Sequence, residues 1–422
     1  MVSALVVIGL LVAAFVGYNI GGSSTGVAFG PAVGSRIVGK VTAAALFTVF
    51  AFWGGWTVGR NVIDTMSDGI VPASQFTPAA SVGVLFFAGA ALLLSNLYGV
   101  PASTSMTAVG AIVGLGLATD TLRESLMFTI VSAWIVAPLV AFLVGVVVGR
   151  YLYPHLDARI AFSRIEDSLV QFDRSGAVPR PRLNENASPR DVVGAVLVVV
   201  IACYMGFSAG ASNAANAVAP LVGNGAVTIE QGVLLAIGAI GLGGFTIARR
   251  TLATVGDGIT DLPILAALVV SVVGATIITV LSQLGIPASL AVSTTCCIIG
   301  LGWGRASRAV TLAEAAATAA DTEAATDLGP ELTTGALAGP ETEQTTPEGP
   351  TVGTLASGES AQQVEQAAEE PPEVPPIGEE TLDELTAESL FDPAATSRIV
   401  ILWVLSPTLS AVGSYLLFLL VL

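Results

Sequence analysis

The chain has 422 residues, of which 53% are hydrophobic and 11% are charged, and its formal net charge is −16. With a mean hydropathy of +0.79, this composition excludes a soluble enzyme and predicts a multi-pass protein of the cell membrane. The acidic balance gives no indication of nucleic-acid binding, because most acidic residues lie in one segment that has no basic residue between Arg308 and Arg398. An acidic chain with a single lysine, Lys40, is typical of a halophilic prokaryote.

Several apolar runs are long enough to cross a bilayer, and none of them contains Lys, Arg, Asp or Glu. They lie at about 2–20, 41–58, 79–98, 125–149, 192–209, 231–248, 263–283 and 399–422. Two further stretches, 99–119 and 284–304, are apolar but rich in Gly, Pro, Ser and Thr. Each predicts a re-entrant hairpin with two short arms or a broken span. The sequence therefore predicts an all-α polytopic membrane protein.

Capping signals predict where some helices begin. Thr228 with Gln231, and Thr121 with Glu124, have the spacing of a capping box. Pro189 is suited to the first position of a helix.

Residues 206–223 form the most informative stretch. Ser212, Asn213 and Asn216 follow a fully apolar run, at a depth where uncharged polar groups are costly unless they meet partners or ligands. The glycines and Pro220 predict an interrupted helix, which a bilayer tolerates only where the backbone is buried or lines a cavity. Helix packing through small residues would explain Gly and Ala but not the two asparagines. We expect a binding site here.

An internal duplication relates the two halves of the chain. At an offset of 189, Gly21 coincides with Gly210 and Ser23 with Ser212; at an offset of 186, Ser103 coincides with Ser289. Trp134 and Pro138 match Trp403 and Pro407 at an offset of 269, which indicates an insertion within the second repeat.

The duplication predicts five segments. They are a first transmembrane repeat at 1–150, an arginine-rich connector at 151–190, a second repeat at 191–304, an acidic insertion at 305–397, and a final helix of the second repeat at 398–422. Short arginine-rich loops stay in the cytoplasm, and their distribution favours inverted repeats with both termini outside. We expect the insertion to be disordered, as a solvated tether or a partner-binding arm.

The start of each Gly/Pro-rich stretch has the chemistry of an anion site. Ser103, Thr104 and Ser105 directly follow Pro101, and Ser289 follows Pro287. A helix that begins there presents free N–H groups and its positive dipole end. The alternative is that these hydroxyls hydrogen-bond back to their own helix.

Because no span carries Lys or Arg, a bound oxyanion would need neutralisation by helix dipoles and by co-transported cations. Asn213 and Asn216 lie on one helix face and offer oxygen ligands of the kind that Na⁺ accepts. The sequence shows no metal-ligand cluster, no nucleophile with a base and no phosphate-binding loop. We therefore expect a protein that is not an enzyme and has no cofactor other than co-transported Na⁺ or H⁺.

These motifs resemble the inorganic phosphate transporter (PiT) family, whose duplicated signature is Gly-Ala-Asn-Asp-x-x-Asn-Ala-x-Gly-Pro/Thr. The second copy is similar at residues 210–220, with Ser212 and Asn213 at the Asn-Asp positions and Asn216 retained. The first copy, 21–31, has Ser23 and Ser24 at those positions. The family's Pro-Val-Ser-Thr-Thr-His motif is similar to residues 101–106.

The resemblance implies two inverted repeats with broken helices and re-entrant hairpins, and a sodium- or proton-coupled phosphate permease that works by alternating access. We expect the substrate at Ser103, Thr104, Ser105, Ser289 and Asn216, and the cation at Ser23, Ser24, Ser212 and Asn213. The partners would be inorganic phosphate or a similar oxyanion and the lipid bilayer, and a homo-oligomer is possible.

Two alternatives remain open at this stage. Aspartate is replaced at both signature positions, by Ser24 and Asn213, so the protein could carry sulfate or another oxyanion. The same replacements would also suit a non-transporting membrane sensor that uses the acidic insertion as a partner arm.

Overall fold

The computed structural model describes residues 4–97, 103–159, 170–173, 180–183, 189–247, 264–309 and 393–421. These residues are almost entirely helical. The helices are Ala4–Gly34 (α1), Lys40–Thr57 (α2), Gly59–Asp64 (α3), Pro78–Leu97 (α4), Thr104–Ala118 (α5), Glu124–Val147 (α6), Tyr153–Arg159 (α7), Pro189–Gly223 (α8), Ile229–Thr246 (α9), Ile264–Gln283 (α10), Leu290–Ala309 (α11) and Pro393–Val421 (α12). Short π-helical turns at Thr65–Gly69 and Val148–Leu152 and a 3₁₀ turn at Ala73–Gln75 extend or join them.

Seven of the described helices are long and apolar enough to cross a membrane, or eight if α2 and the bent segment after it form one span. Large apolar side chains such as Phe128, Val193 and Leu420 are exposed on their surfaces, where lipid would cover them. The predicted polytopic all-α architecture is confirmed. The capping box at Thr228 and Gln231 is also confirmed, with both reciprocal hydrogen bonds present at the start of α9.

The second predicted capping box is wrong. Arg123, not Thr121, occupies the N-cap position of α6 and makes no side-chain capping bond. The Thr121 hydroxyl instead lies 2.7 Å from the hydroxyl of Thr119. Because α6 begins at Glu124, Thr121 lies two residues before the N-cap, and Glu124 is not at the third helical position that a capping box requires.

The interrupted helix predicted for residues 206–223 is also wrong. Helix α8 runs without a break through the whole stretch and ends at Gly223. Pro220 lies in its last turn, where its missing N–H removes one bond of the backbone ladder, to the Asn216 carbonyl, without ending the helix. The Pro220 carbonyl accepts from the Ser81 hydroxyl of α4 at 2.8 Å. The broken span lies elsewhere, at Val58, where the axes of 40–57 and 59–69 differ by 62°.

In the described part of each Gly/Pro-rich stretch there is one helix rather than two short arms. Residues 104–118 form the single helix α5, and residues 290–309 form the single helix α11. With 15 residues, α5 is roughly 22 Å long and is shorter than the hydrocarbon core. Both helices start inside the protein, since Ser103 and Ser289 at their N-termini are buried.

Close backbone contacts show how the repeats are related. A Cβ atom on Gly21 would collide with the carbonyl oxygen of Ile240, and one on Gly210 would collide with that of Ala51. Ala51 and Ile240 differ by the same offset of 189 as the two glycines. Such exchanged partners are what a two-fold axis produces. The repeats are thus related by a pseudo-two-fold axis, while their inverted orientation across the membrane stays a prediction.

The second pair of close contacts involves α5 and α11. Gly114 of α5 packs against the Ala411 carbonyl of α12, and the equivalent Gly300 of α11 packs against the Phe142 carbonyl of α6. Phe142 and Ala411 are equivalent at the offset of 269. The last helix of each repeat therefore packs against the broken span of the other, which supports assigning α12 to the second repeat.

The connector contains the only two strands among the described residues, Val170–Asp173 (β1) and Arg180–Leu183 (β2). They pair antiparallel, with Val170 opposite Leu183. The predicted disorder of the acidic insertion concerns residues that lie almost entirely outside the described ranges. The five predicted segment boundaries stay predictions.

Candidate functional site

Helix α5 begins at a polar turn that lies inside the protein. The Ser103 side chain is fully buried and takes the N-cap position, where its Oγ accepts from the Met106 N–H at 3.4 Å. The Ser103 carbonyl accepts from the Thr107 hydroxyl at 2.8 Å. Ser103 therefore holds the start of α5 in place with both of its polar groups.

Helix α11 begins in an equivalent way. The Ser289 Oγ accepts from the Val292 N–H at 3.4 Å. Just before it, Gly285 has a φ of +73°, a left-handed conformation that favours glycine. The Trp134 indole of α6 donates to the Pro287 carbonyl at 2.7 Å. A side chain from the first repeat thus positions the start of α11.

Asn213 of α8 joins α5 to α1. The Thr104 hydroxyl donates to Asn213 Oδ1 at 2.6 Å. The Nδ2 group of Asn213 donates to the Ser24 Oγ of α1 at 3.2 Å. The expected need for partners at this depth is therefore met by side chains from both repeats.

Asn216, one turn further along α8, completes a polar network. Its Nδ2 lies 3.1 Å from both Ser105 Oγ and Asn213 Oδ1, and 3.4 Å from Thr104 Oγ1. Its Oδ1 is fully buried and has no hydrogen-bond partner. Leaving a buried acceptor unpaired costs about 1–3 kcal/mol.

A directed chain of hydrogen bonds connects α5 to the turn before α11. The Ser212 hydroxyl donates to the Ala288 carbonyl at 2.7 Å. Ser105 Oγ lies 3.1 Å from Ser212 Oγ. Since Ser212 has given its only proton to Ala288, Ser105 must be the donor in that pair. We refer to Thr104, Ser105, Ser212, Asn213 and Asn216 together as the polar network.

A small cavity of about 20 Å³ adjoins the polar network. Its walls come from α1, α5, α8 and α11, and the lining residues are Ser23, Ser24, Val27, Thr104, Asn213, Ser289, Leu290 and Ala291. The volume is enough for about one water molecule. A tetrahedral oxyanion is larger, so its binding requires the walls of the cavity to move apart.

The electrostatics of the cavity suit an anion, although no lining residue is ionisable. Thr104 and Leu290 are the first residues of α5 and α11, so two helix N-termini end at the cavity. Each N-terminus carries a partial positive charge of roughly half a unit together with unpaired N–H groups. In a low-dielectric interior, such dipoles attract an anion without a basic side chain.

Most of the predicted site residues come together in this part of the structure. Five of them line the cavity: Ser23, Ser24, Thr104, Asn213 and Ser289. Ser105, Ser212 and Asn216 belong to the adjoining polar network. Ser103 is in neither set, because it caps α5. The binding role of each residue stays a prediction.

Several contributors were not predicted as site residues. Leu290 and Ala291 line the cavity, and they could have been found by treating the start of α11 as a backbone site. Val27 also lines it and is the equivalent of Asn216 at the offset of 189. The contact between Trp134 and Pro287 was not predicted either. The only sequence feature that pointed to Trp134 is its recurrence as Trp403 in the second repeat.

Comparison with known proteins gives consistent matches. The sequence profile of the phosphate transporter family matches residues 20–320. The sulfate permease CysP of Bacillus subtilis is 30% identical over 297 residues, which cover 70% of this chain and 77% of that protein. A putative phosphate permease of Haemophilus influenzae is 24% identical over 367 residues, covering 71% of this chain and 87% of that protein.

A solved structure also shares the fold. The sodium-dependent phosphate transporter superposes with a TM-score of 0.64 at 18% sequence identity, and the match covers 99% of each chain. At this identity the likeness concerns the arrangement of helices alone.

Proposed function

The chain belongs to the phosphate transporter family, and from this premise we propose that it is a secondary active permease that moves inorganic phosphate across the cell membrane by alternating access. In the proposal, the oxyanion occupies the cavity between α1, α5, α8 and α11. Ser24, Thr104, Asn213 and Ser289 contact it, together with the first N–H groups of α5 and α11. The site moves an ion and does no covalent chemistry.

The observation that carries the proposal is the convergence of two helix N-termini on a cavity with uncharged polar walls. Such a site can replace the hydration shell of an oxyanion without holding it through a fixed charge. Both repeats contribute walls, so a relative movement of the repeats would open the cavity. The contacts that would break are hydrogen bonds between neutral groups, each worth about 1 kcal/mol.

We further propose that transport is coupled to Na⁺ or H⁺. Oxygen atoms are the ligands that Na⁺ uses in transporters of this kind. The Asn216 Oδ1 atom is fully buried and has no hydrogen-bond partner. It belongs to the same amide group as Nδ2, which donates to Ser105 Oγ at 3.1 Å. A cation held near Asn216, Asn213 and Ser212 would compensate the charge of the oxyanion.

Sulfate is the second candidate substrate. The observation that favours it is the 30% identity to the sulfate permease of Bacillus subtilis. Sulfate and phosphate share tetrahedral geometry, and helix N-termini bind both.

Uptake into proteoliposomes that contain the purified protein tests the proposed function. Radiolabelled phosphate should enter saturably, and an inward gradient of Na⁺ or H⁺ should drive accumulation. A parallel measurement with radiolabelled sulfate separates the two substrates. Absence of uptake of both anions under every gradient would overturn the proposal.

A further inference from the structure

Ser24 and Asn213 occupy equivalent positions in the two repeats, because their numbers differ by 189. They also touch one another, since Asn213 Nδ2 donates to Ser24 Oγ at 3.2 Å. A residue can touch its own equivalent only near the two-fold axis. Both side chains line the cavity, so this pair is where a centrally bound ligand meets both repeats.

The pair has two protons left to donate, and the lone pair left on Ser24 Oγ is a neutral acceptor. Asn213 Oδ1 already accepts from Thr104 and from Asn216. The second amide proton of Asn213 and the hydroxyl proton of Ser24 are used in no contact between described residues. The unpartnered oxygen of Asn216 does not line the cavity. Ser23 Oγ does line it and donates its proton to the Ile20 carbonyl at 3.1 Å, so the remaining acceptors are neutral hydroxyl oxygens and none is a carboxylate.

The balance of donors and acceptors decides which oxyanion fits. Sulfate carries no proton at neutral pH, so all of its oxygens accept hydrogen bonds. Phosphate keeps one or two protons, and each needs an acceptor. A carboxylate would accept such a proton through a strong charge-assisted bond and would repel sulfate. A neutral pair of donors does neither.

We propose that the Ser24–Asn213 pair is the specificity-determining contact of this permease and that it admits sulfate to the same site as phosphate. The inference rests on the proposed oxyanion transport and adds which residues set the choice of anion. The affinity of the pair for an oxyanion falls as the number of protons on the oxyanion rises, because each unpaired ligand proton weakens binding.

The unmodified protein gives the first test, through competition for radiolabelled phosphate uptake. At neutral pH, sulfate should inhibit with a constant within about tenfold of that for unlabelled phosphate. As the pH falls through the second pKa of phosphate, the inhibition constant of phosphate should rise while that of sulfate stays the same. Sulfate that inhibits more than about 100-fold more weakly than phosphate would overturn the inference.

Asn213→Asp gives the second test, because it places a carboxylate in the cavity with almost no change in shape. The inhibition constant of sulfate should rise about 10- to 100-fold more than that of phosphate. Asn224→Asp is the matched control, since Asn224 directly follows α8 and does not line the cavity; it should leave the ratio unchanged. An unchanged ratio in an Asn213→Asp protein that still takes up phosphate would overturn the inference.

Two measures keep the outcomes separate. If Asn213→Asp does not fold, Ser24→Asp replaces it and places the carboxylate on the other repeat. The ratio of the sulfate and phosphate inhibition constants should rise in the same way. If the unmodified protein takes up neither anion, the result contradicts the proposed function itself. If the unmodified protein takes up phosphate but is not inhibited by sulfate, the result contradicts only the role of the pair.

Discussion

Thr104 has the most direct position in the proposed site, because it belongs at once to the helix start, the polar network and the cavity. Its hydroxyl donates to Asn213 Oδ1 at 2.6 Å, and its side chain is almost fully buried. When the cavity opens, this hydroxyl can turn from Asn213 to a bound oxyanion without leaving α5. In the proposed mechanism, the same residue stabilises the closed cavity and contacts the ligand in the open one.

Replacement of Thr104 by valine should lower phosphate affinity about 5- to 50-fold, because it removes one hydroxyl from a desolvated anion site while keeping the shape. Thr119→Val is the matched control, since the Thr119 hydroxyl bonds to the Leu115 carbonyl at the far end of the same helix. Binding is measured by titration of the purified protein with phosphate. Equal affinity in the two variants would place the anion elsewhere.

Ser103 shows a limit of prediction at this scale. Its position after a proline predicts substrate contact and helix capping equally well, and only the direction of the side chain separates them. The structure has its oxygen facing the Met106 N–H. We expect Ser103→Ala to lower stability by about 0.5–2 kcal/mol and Ser103→Gly by a few tenths, as for an N-cap.

Thermal unfolding and phosphate uptake per folded protein check this expectation together. If Ser103 acts only as a cap, uptake per folded protein stays unchanged in both variants, and the alanine variant unfolds at a lower temperature than the glycine variant. If both variants lose uptake equally while remaining fully folded, Ser103 contacts the substrate.

At the scale of helices, close backbone contact between α1 and α9, and between α2 and α8, fixes the two sides of the cavity. Inside a bilayer such contact comes from small residues, because lipid is as apolar as the protein surface. Gly21 on α1 and Gly210 on α8 allow it at equivalent positions, a few residues before Ser24 and Asn213. The residues that pack the helices and those that line the cavity therefore share one segment in each repeat.

Gly21→Ala and Gly210→Ala should both lower the melting temperature, by several degrees each, since their new methyl groups would meet the backbone of Ile240 and Ala51. Gly238→Ala on α9 is the control, because a Cβ there has nothing within 4 Å. It should leave the melting temperature unchanged or raise it, given the better helix propensity of alanine. A melting temperature that falls equally in all three would contradict the packing account.

The sequence was a good guide to which segments are helical and a poor guide to where helices break. Apolar length predicts the spans, and repeated offsets predict which residues are equivalent. Gly206, Gly210 and Pro220 predicted a break in α8, yet the glycines serve helix contact and the proline lies in the last turn. At the bend at Val58, Gly59 lies close to the Ala211 carbonyl of α8, a contact between distant segments that the local sequence cannot reveal.

At the scale of the molecule, two repeats related by a pseudo-two-fold axis surround one site. Residue types that recur at fixed offsets predicted the repeat, and polar residues in apolar segments predicted most of the side chains that line the cavity or form the polar network. It could not reveal that Ser24 touches Asn213, since contact between equivalent residues depends on where the axis passes.

The predicted inversion of the repeats has a direct consequence for topology. Lys40 and Glu230 are both exposed. At the offset of 189, the equivalent of Lys40 is Ile229, the residue directly before Glu230. With the native cysteines replaced, Lys40→Cys should react with an impermeant thiol reagent from the cytoplasmic side and Glu230→Cys from the outside. Labelling of both from one side would mean that the repeats are parallel.

The most direct test of the whole account is to locate a bound oxyanion in an experimental structure of the protein with phosphate or an anomalously scattering analogue. We predict density in an enlarged cavity within hydrogen-bond distance of Ser24, Thr104 and the first N–H groups of α11. Density only at another position, with Thr104 still bonded to Asn213 and the cavity unchanged, would contradict it.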